Sequence, residues 1–154
     1  MTATGIHLLD LSVGVFGAAD KVFASVRQLG SQLVNGDTLG ILVNFKSGGN
    51  ALLSAILATP FDGRFAVYCS KGWVEVRDKA HPEAPQGWTL TVHKRGGEKT
   101  VREFPPSKAV LANLEAFAAD APYPVAQSEM IANVSALEAI FKSAQSGRVE
   151  PVEN

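Results

Sequence analysis

The sequence predicts an α+β fold: an open, mostly antiparallel sheet with helices packed on one face. Three patterns carry that expectation. Apolar residues recur at helical spacing near both ends of the chain. The middle is a run of short, β-rich segments separated by Gly, Pro, Asn and Ser turns. Strands alternating with helices, the mark of a parallel nucleotide-binding sheet, do not occur. A length of 154 residues fits one ordinary domain. The expected organisation is a single α+β domain over 1–150, with a loose tail at 151–154.

The first helix is expected from Gly5 to Phe16. Leu8, Leu11 and Val15 together with Leu9, Val13 and Phe16 cover most of its circumference, which marks a largely buried helix. Gly17 is placed to stop it. Val22 to Leu29 reads as a strand. Asp37 to Phe45 and Ala51 to Thr59 then form a hairpin around Ser47-Gly48-Gly49-Asn50, with Leu39, Ile41, Val43 and Phe45 on one face. The other face carries Gly40, Leu42, Leu52, Ser54, Ile56 and Ala58, so neither face is properly polar. Helices can cover one side, and a second copy of the chain is expected on the other; a central hairpin under loops is the rival arrangement.

Four more strands follow at Phe65 to Ser70, Trp73 to Arg77, Trp88 to His93 and Thr100 to Phe104, ended by Pro105 and Pro106. Ser107 is expected to cap a helix over Ala109 to Ala119, striped by Val110, Leu111, Leu114 and Phe117. The loop Ala121 to Pro124 breaks it. A last helix spans Ser128 to Ser146, with Ile131, Val134, Leu137, Ile140 and Phe141 on one face and Gly147 closing it.

Composition narrows the functional classes. Apolar residues make up 46% and charged residues 19%, which is globular rather than disordered. A formal net charge of −1, without a run of Lys or Arg, gives no field for nucleic acid or an anionic membrane. Cys69 is alone, so no intrachain disulfide can form. The apolar opening has no preceding Lys or Arg and is broken by Asp10, unlike a signal peptide or a membrane span. These features together suggest a soluble cytoplasmic protein.

Motifs are sparse. The glycines match neither GxGxxG nor GxxxxGK[ST], so the chain is not expected to bind a dinucleotide or a triphosphate by itself. His7, His81 and His93 lack Cys or carboxylates at ligand spacing, so no metal is expected. His7 admits two readings. It is either a helix-terminal histidine bonded to backbone or water, or a general acid/base whose imidazole the positive end of a helix dipole helps to keep neutral. Asp10 lies one turn later, on a face that can include His7, and otherwise reads as a solvated charge or a cap. Tyr68, Trp73 and Trp88 could line a cleft, although aromatics in strands more often pack across strands.

The stretch Gly5-Ile-His7-Leu-Leu-Asp10, followed by Val22-Phe-Ala24, resembles the GxHxxD segment in the carboxy-terminal half of the Gfo/Idh/MocA oxidoreductases. Cys69-Ser-Lys-Gly72-Trp-Val-Glu75, Leu114-Glu-Ala-Phe117 and the ending Asn133 to Gly147 agree with the same pattern, in order. The resemblance covers nearly the whole chain and places Met1 inside the longer family pattern. It implies a carboxy-terminal α+β domain without the amino-terminal Rossmann domain. NAD or NADP is then expected only together with that missing domain, and none in this chain.

By the same resemblance, His7 is the catalytic histidine of the family's DxxxH motif, moving a proton at a substrate hydroxyl together with a lysine of the other domain. Thr4 and Asp10 are implied on the substrate side. The motif's aspartate position falls on Ala3, which removes the carboxylate partner. The implied partners are a sugar or polyol and a second copy of the chain, in a dimer or a dimer of dimers packed through the sheet face. The alternative is a stand-alone binding or scaffold module that has lost redox activity.

Overall fold

A computed structural model describes residues 2–119, 122–123 and 125–153, with side chains described from residue 5 onward. In chain order the elements are α1 (Thr2–Phe16), β1 (Ala19–Arg27), β2 (Thr38–Phe45), β3 (Asn50–Ile56), β4 (Arg64–Cys69), β5 (Gly72–Asp78), β6 (Trp88–Lys94), β7 (Lys99–Phe104), α2 (Ala109–Ala118), α3 (Gln127–Ser146) and β8 (Glu150–Pro151). The α+β class is as the patterning predicts. The single expected sheet, however, is two four-stranded antiparallel sheets, ordered β3-β2-β1-β8 and β4-β5-β6-β7. Residues 57–63, which include Pro60 and Gly63, join no ladder, and pairing stops there. The chain divides accordingly into two compact units, residues 1–59 with 123–154, and residues 60–122.

In the first unit, period-two alternation sends Val22, Ala24, Leu39, Ile41, Val43, Phe45, Leu53 and Ala55 to one sheet face, where all are buried. Helices α1 and α3 cover that face with Leu9 and Val13 from one, and Ala132, Ala136, Ala139 and Ile140 from the other. The run of alanines lets α3 lie close to the strands. Both helices stop at left-handed glycines: Gly17 (φ 80°) donates its N–H to the Val13 carbonyl at 2.8 Å, and Gly147 (φ 66°) bonds the Ser143 carbonyl.

Two expectations at element ends are corrected. Helix α2 starts after Lys108 with no side-chain cap, so Ser107 does not cap it. The end of the chain is not loose: β8 pairs with Lys21 and Val22 of β1, the Val152 N–H bonds the Asp20 carbonyl at 2.8 Å, and Val152 is buried. An unfilled sheet edge beside β1 and an apolar side chain at 152 supply the reason. Ala121 and Pro124 of the expected loop, and Asn154, lie outside the described residues.

One buried carboxylate organises the β1–β2 connection. Asp37, fully buried, accepts the backbone N–H groups of Leu29 (2.9 Å), Gly30 (2.8 Å) and Ser31 (2.6 Å) and the Thr38 hydroxyl (3.0 Å). Hydrogen bonds from Leu29 and Gly30 hold its pKa far below the usual carboxylate range. A depressed folded-state pKa stabilises the fold above the unfolded value of about 3.9, and that contribution is lost as the pH falls toward the folded value. The expected result is a stability gap between wild type and Asp37→Asn that is constant near neutrality and narrows from about pH 5 to pH 3. Urea unfolding across pH checks this; a gap that does not change with pH contradicts it.

The second unit is one sheet with two different faces, followed by α2. Phe65, Val67, Val74, Val76, Leu90 and Val92 share the apolar face. The opposite face carries an ion-pair ladder, with Glu75 between Arg64 (2.5 Å) and Arg77 (3.1 Å), and Arg77 also on Asp62 (2.8 Å). Helix α2 buries no residue, and Val110, Leu114 and Phe117 of its stripe are exposed. No helix among the described residues is long and apolar enough to cross a membrane.

Candidate functional site: the open face of the helical layer

Helical geometry separates the residues at the head of α1. Leu9, Ser12 and Val13 point at the sheet and are buried, whereas His7, Asp10, Leu11, Gly14 and Val15 are exposed. His7 therefore stands on the outer side of the helical layer, away from the core. That side is not polar. Leu11 and Val15 from α1, with Met130, Ile131 and Val134 from α3, leave a broad apolar surface.

Asp10 does not bond to His7 among the described residues. Its Oδ1 instead accepts Asn133 Nδ2 at 3.1 Å, tying α1 to α3 across the layer. Asn133 Oδ1 is enclosed with no partner among the described residues. Thr4 has its backbone in α1, but its side chain, like that of Ala3, lies outside the described residues. Asp10 and His7 are thus on one helix surface without being joined.

The remaining sequence candidates fall in the second unit, and they pack across strands. Tyr68, Trp73 and His93 line up on one row, with ring centroids 6.3 Å and 5.7 Å apart, and Lys99 Nζ lies 5.9 Å from the Trp73 ring. Trp88 sits on the opposite face of the same strand. His81 is a loop residue with its ring edge-on to Phe61. Among the described residues no three His, Cys, Asp or Glu side chains converge as a metal site.

Residues without chemical motifs proved structurally decisive. The Ala24 N–H lies beyond the reach of the two-residue β8 and is bonded instead by Ser143 Oγ at 2.9 Å, while the Ser143 hydroxyl donates to the Arg148 carbonyl at 2.5 Å. Ser143 is fully buried between α3 and β1. It belongs to the ending block of the sequence, but nothing in the spacing announces its role.

A dinucleotide does not fit the described residues. Every strand pairing is antiparallel, and no strand leads through a glycine-rich turn into a helix N-terminus.

A groove lies on the inner side of the same helical layer, between the head of α1, the ends of β1 and β2, and α3. It encloses about 620 Å³ and is lined mainly by apolar side chains.

Residues 1–75 match the sequence model of the GFO/IDH/MocA C-terminal domain. No curated protein matches the chain by sequence. Among solved structures it is similar to an aldose-aldose oxidoreductase from Caulobacter crescentus, complexed with glycerol (23% identity, TM-score 0.75, covering 96% of this chain and 45% of that one). It is similar to an oxidoreductase from Agrobacterium radiobacter in complex with NAD+, L-tartaric acid and magnesium (18%, 0.74, 96% and 47%). A third is the WlbA dehydrogenase from Bordetella pertussis in complex with NADH and UDP-GlcNAcA (18%, 0.70, 98% and 44%). The chain spans about half the length of the structures it matches. Residues 1–75 thus resemble the family's C-terminal domain in sequence, and the whole chain shares its fold with one half of these oxidoreductase structures.

Proposed function

We propose that the chain supplies the substrate-binding and oligomerisation half of an NAD(P)-dependent oxidoreductase acting on a sugar, polyol or related hydroxy compound. The observation that carries this reading is His7, exposed at the head of α1 beside the exposed apolar side chains Leu11 and Val15. A nucleotide-binding half covering Leu11, Val15 and Val134 would enclose His7 in a cleft, where its imidazole could take or return the proton of a substrate hydroxyl. The structures from Caulobacter, Agrobacterium and Bordetella, complexed with a polyol, a hydroxy acid and a sugar nucleotide, support that substrate class.

Fusing a family nucleotide-binding domain to the amino end and assaying aldoses and polyols with NAD+ or NADP+ tests the reading. His7→Ala in the fusion is expected to lower kcat by about 10²–10⁴-fold, the usual range for a positioned acid/base, with an unchanged melting temperature because the side chain is exposed. Full activity in the His7→Ala fusion would overturn the assignment. The second reading, a binding or scaffold module, is favoured by Ala3 at the family's carboxylate position. It expects sugar binding by the fusion with no turnover.

For assembly, we infer a second copy on the outer face of β3-β2-β1. Phe23, Leu42 and Leu52 form a cross-strand apolar row there, Leu52 being 83% exposed. Beside it runs the small row Ser25, Gly40 and Ser54. A Cβ at Gly40 would meet nothing within 4 Å among the described residues, so the glycine leaves room for another molecule rather than for its own fold. Gly40→Glu is expected to convert the oligomer to a monomer in sedimentation velocity with no loss of stability. A wild-type chain that sediments as a monomer at high micromolar concentration contradicts this assembly.

A further inference from the structure

The inner groove of the first unit has the size and the charge pattern of a small-molecule site, and the proposed function leaves it unused. Its volume of about 620 Å³ falls within the range of ligand cavities, about 300–1,000 Å³. Ile6 and Leu9 of α1, Leu39 and Ile41 of β2, and Leu137 and Phe141 of α3 form the apolar walls. The polar lining comes from Arg27, Gln28, Asn35 and Gln145. Among the described residues no acidic side chain lines it, and Arg27 is its one charged residue.

Arg27 is available for a ligand. One Nη group donates to the carbonyl of Val26, itself a wall residue, at 3.2 Å. No carboxylate pairs with the guanidinium among the described residues, which leaves most of its five N–H donors unengaged. The wall beside Arg27 is firmly held, because Asp37 gathers the amides of Leu29 to Ser31. Gly36 closes the turn at φ 80°, where a Cβ would come within 2.5 Å of Val26 Cγ1. A preformed apolar slot with a single unpaired cation favours one chemistry: an apolar body carrying one negative head.

We propose that this groove binds a small amphipathic anion, an aliphatic or aromatic monocarboxylate, with its tail against Leu9, Leu39 and Phe141 and its carboxylate on Arg27. The site is separate from the His7 surface. Ile6 and Leu9 line the groove, whereas His7 projects from the opposite side of α1.

The test is an NMR titration of the full chain with octanoate and, as the uncharged control of equal length, 1-octanol. Saturable amide shifts centred on Ile6, Val34, Asn35 and Gly36 are expected, with octanoate at least tenfold tighter than octanol. Arg27→Gln, at an exposed strand end, is expected to bring the two affinities within about threefold while leaving the remaining spectrum intact. Absence of saturation by either probe, equal affinity of the two for the wild type, shifts centred away from the groove, or an octanoate preference that survives Arg27→Gln would each overturn the proposal.

Discussion

Leu9→Ala lowers the free energy of unfolding by about 2–5 kcal/mol, the range for removing a buried leucine side chain from a well-packed core. Leu9 has no exposed surface and is part of the buried cluster formed by α1, α3 and the inner face of the sheet. Its deletion costs transfer energy and also leaves a cavity, because the strands cannot close in while α3 is held through Ser143. The neighbouring Leu11 is the internal control. It is 49% exposed on the outer face, so Leu11→Ala is expected to change stability by about 0.5 kcal/mol or less. Urea unfolding followed by circular dichroism checks both, with the midpoint moving and the slope unchanged for Leu9→Ala. Equal losses from the two substitutions would show that the assignment of core and outer face is inverted.

Ser143→Ala costs about 1–3 kcal/mol, although it removes a single oxygen. The hydroxyl joins the Ala24 N–H to the Arg148 carbonyl, and both Ala24 and Ser143 are buried. Without it a buried amide in the middle of β1 has no partner, and water has little room to replace it. Hydrogen exchange at the Ala24 amide separates this explanation from general loosening. Exchange there should accelerate more than at Val22 or Val43, and a uniform acceleration across the unit would contradict it.

Much of the fold was legible because the strands of the first unit have one strictly buried face. Leu39, Ile41, Val43 and Phe45 alternate without a break, and the Gly48-Gly49 turn fixes the register of the hairpin. Helix ends at Gly17 and Gly147 were legible for a similar reason, since a glycine after an apolar stripe marks a left-handed stop. The division into two sheets was not. Residues 57–63 look like any connection between strands, and whether β3 and β4 pair depends on geometry that no local pattern encodes. The fixed end of the chain was also hidden, because two residues of strand and one buried valine are too few to make a period.

At the candidate site, the placement of His7 and Asp10 on one helix surface followed from spacing alone. Asp10's partner did not, since Asn133 lies 123 residues away in the chain. The clasp at Asp37 was equally silent, because an aspartate before a strand usually reads as a turn residue. The Asp10–Asn133 contact is tertiary, and the Asp37 clasp spans up to eight residues within one connection, so neither follows from a periodic pattern.

The proposed division of labour gives this chain the histidine and the sheet, and a partner domain the nucleotide. Titration of the chain with NAD+ and NADH by calorimetry tests that most directly. The prediction is no saturable heat up to about 1 mM cofactor, corresponding to binding weaker than about −4 kcal/mol. Saturable binding in the micromolar range would contradict it.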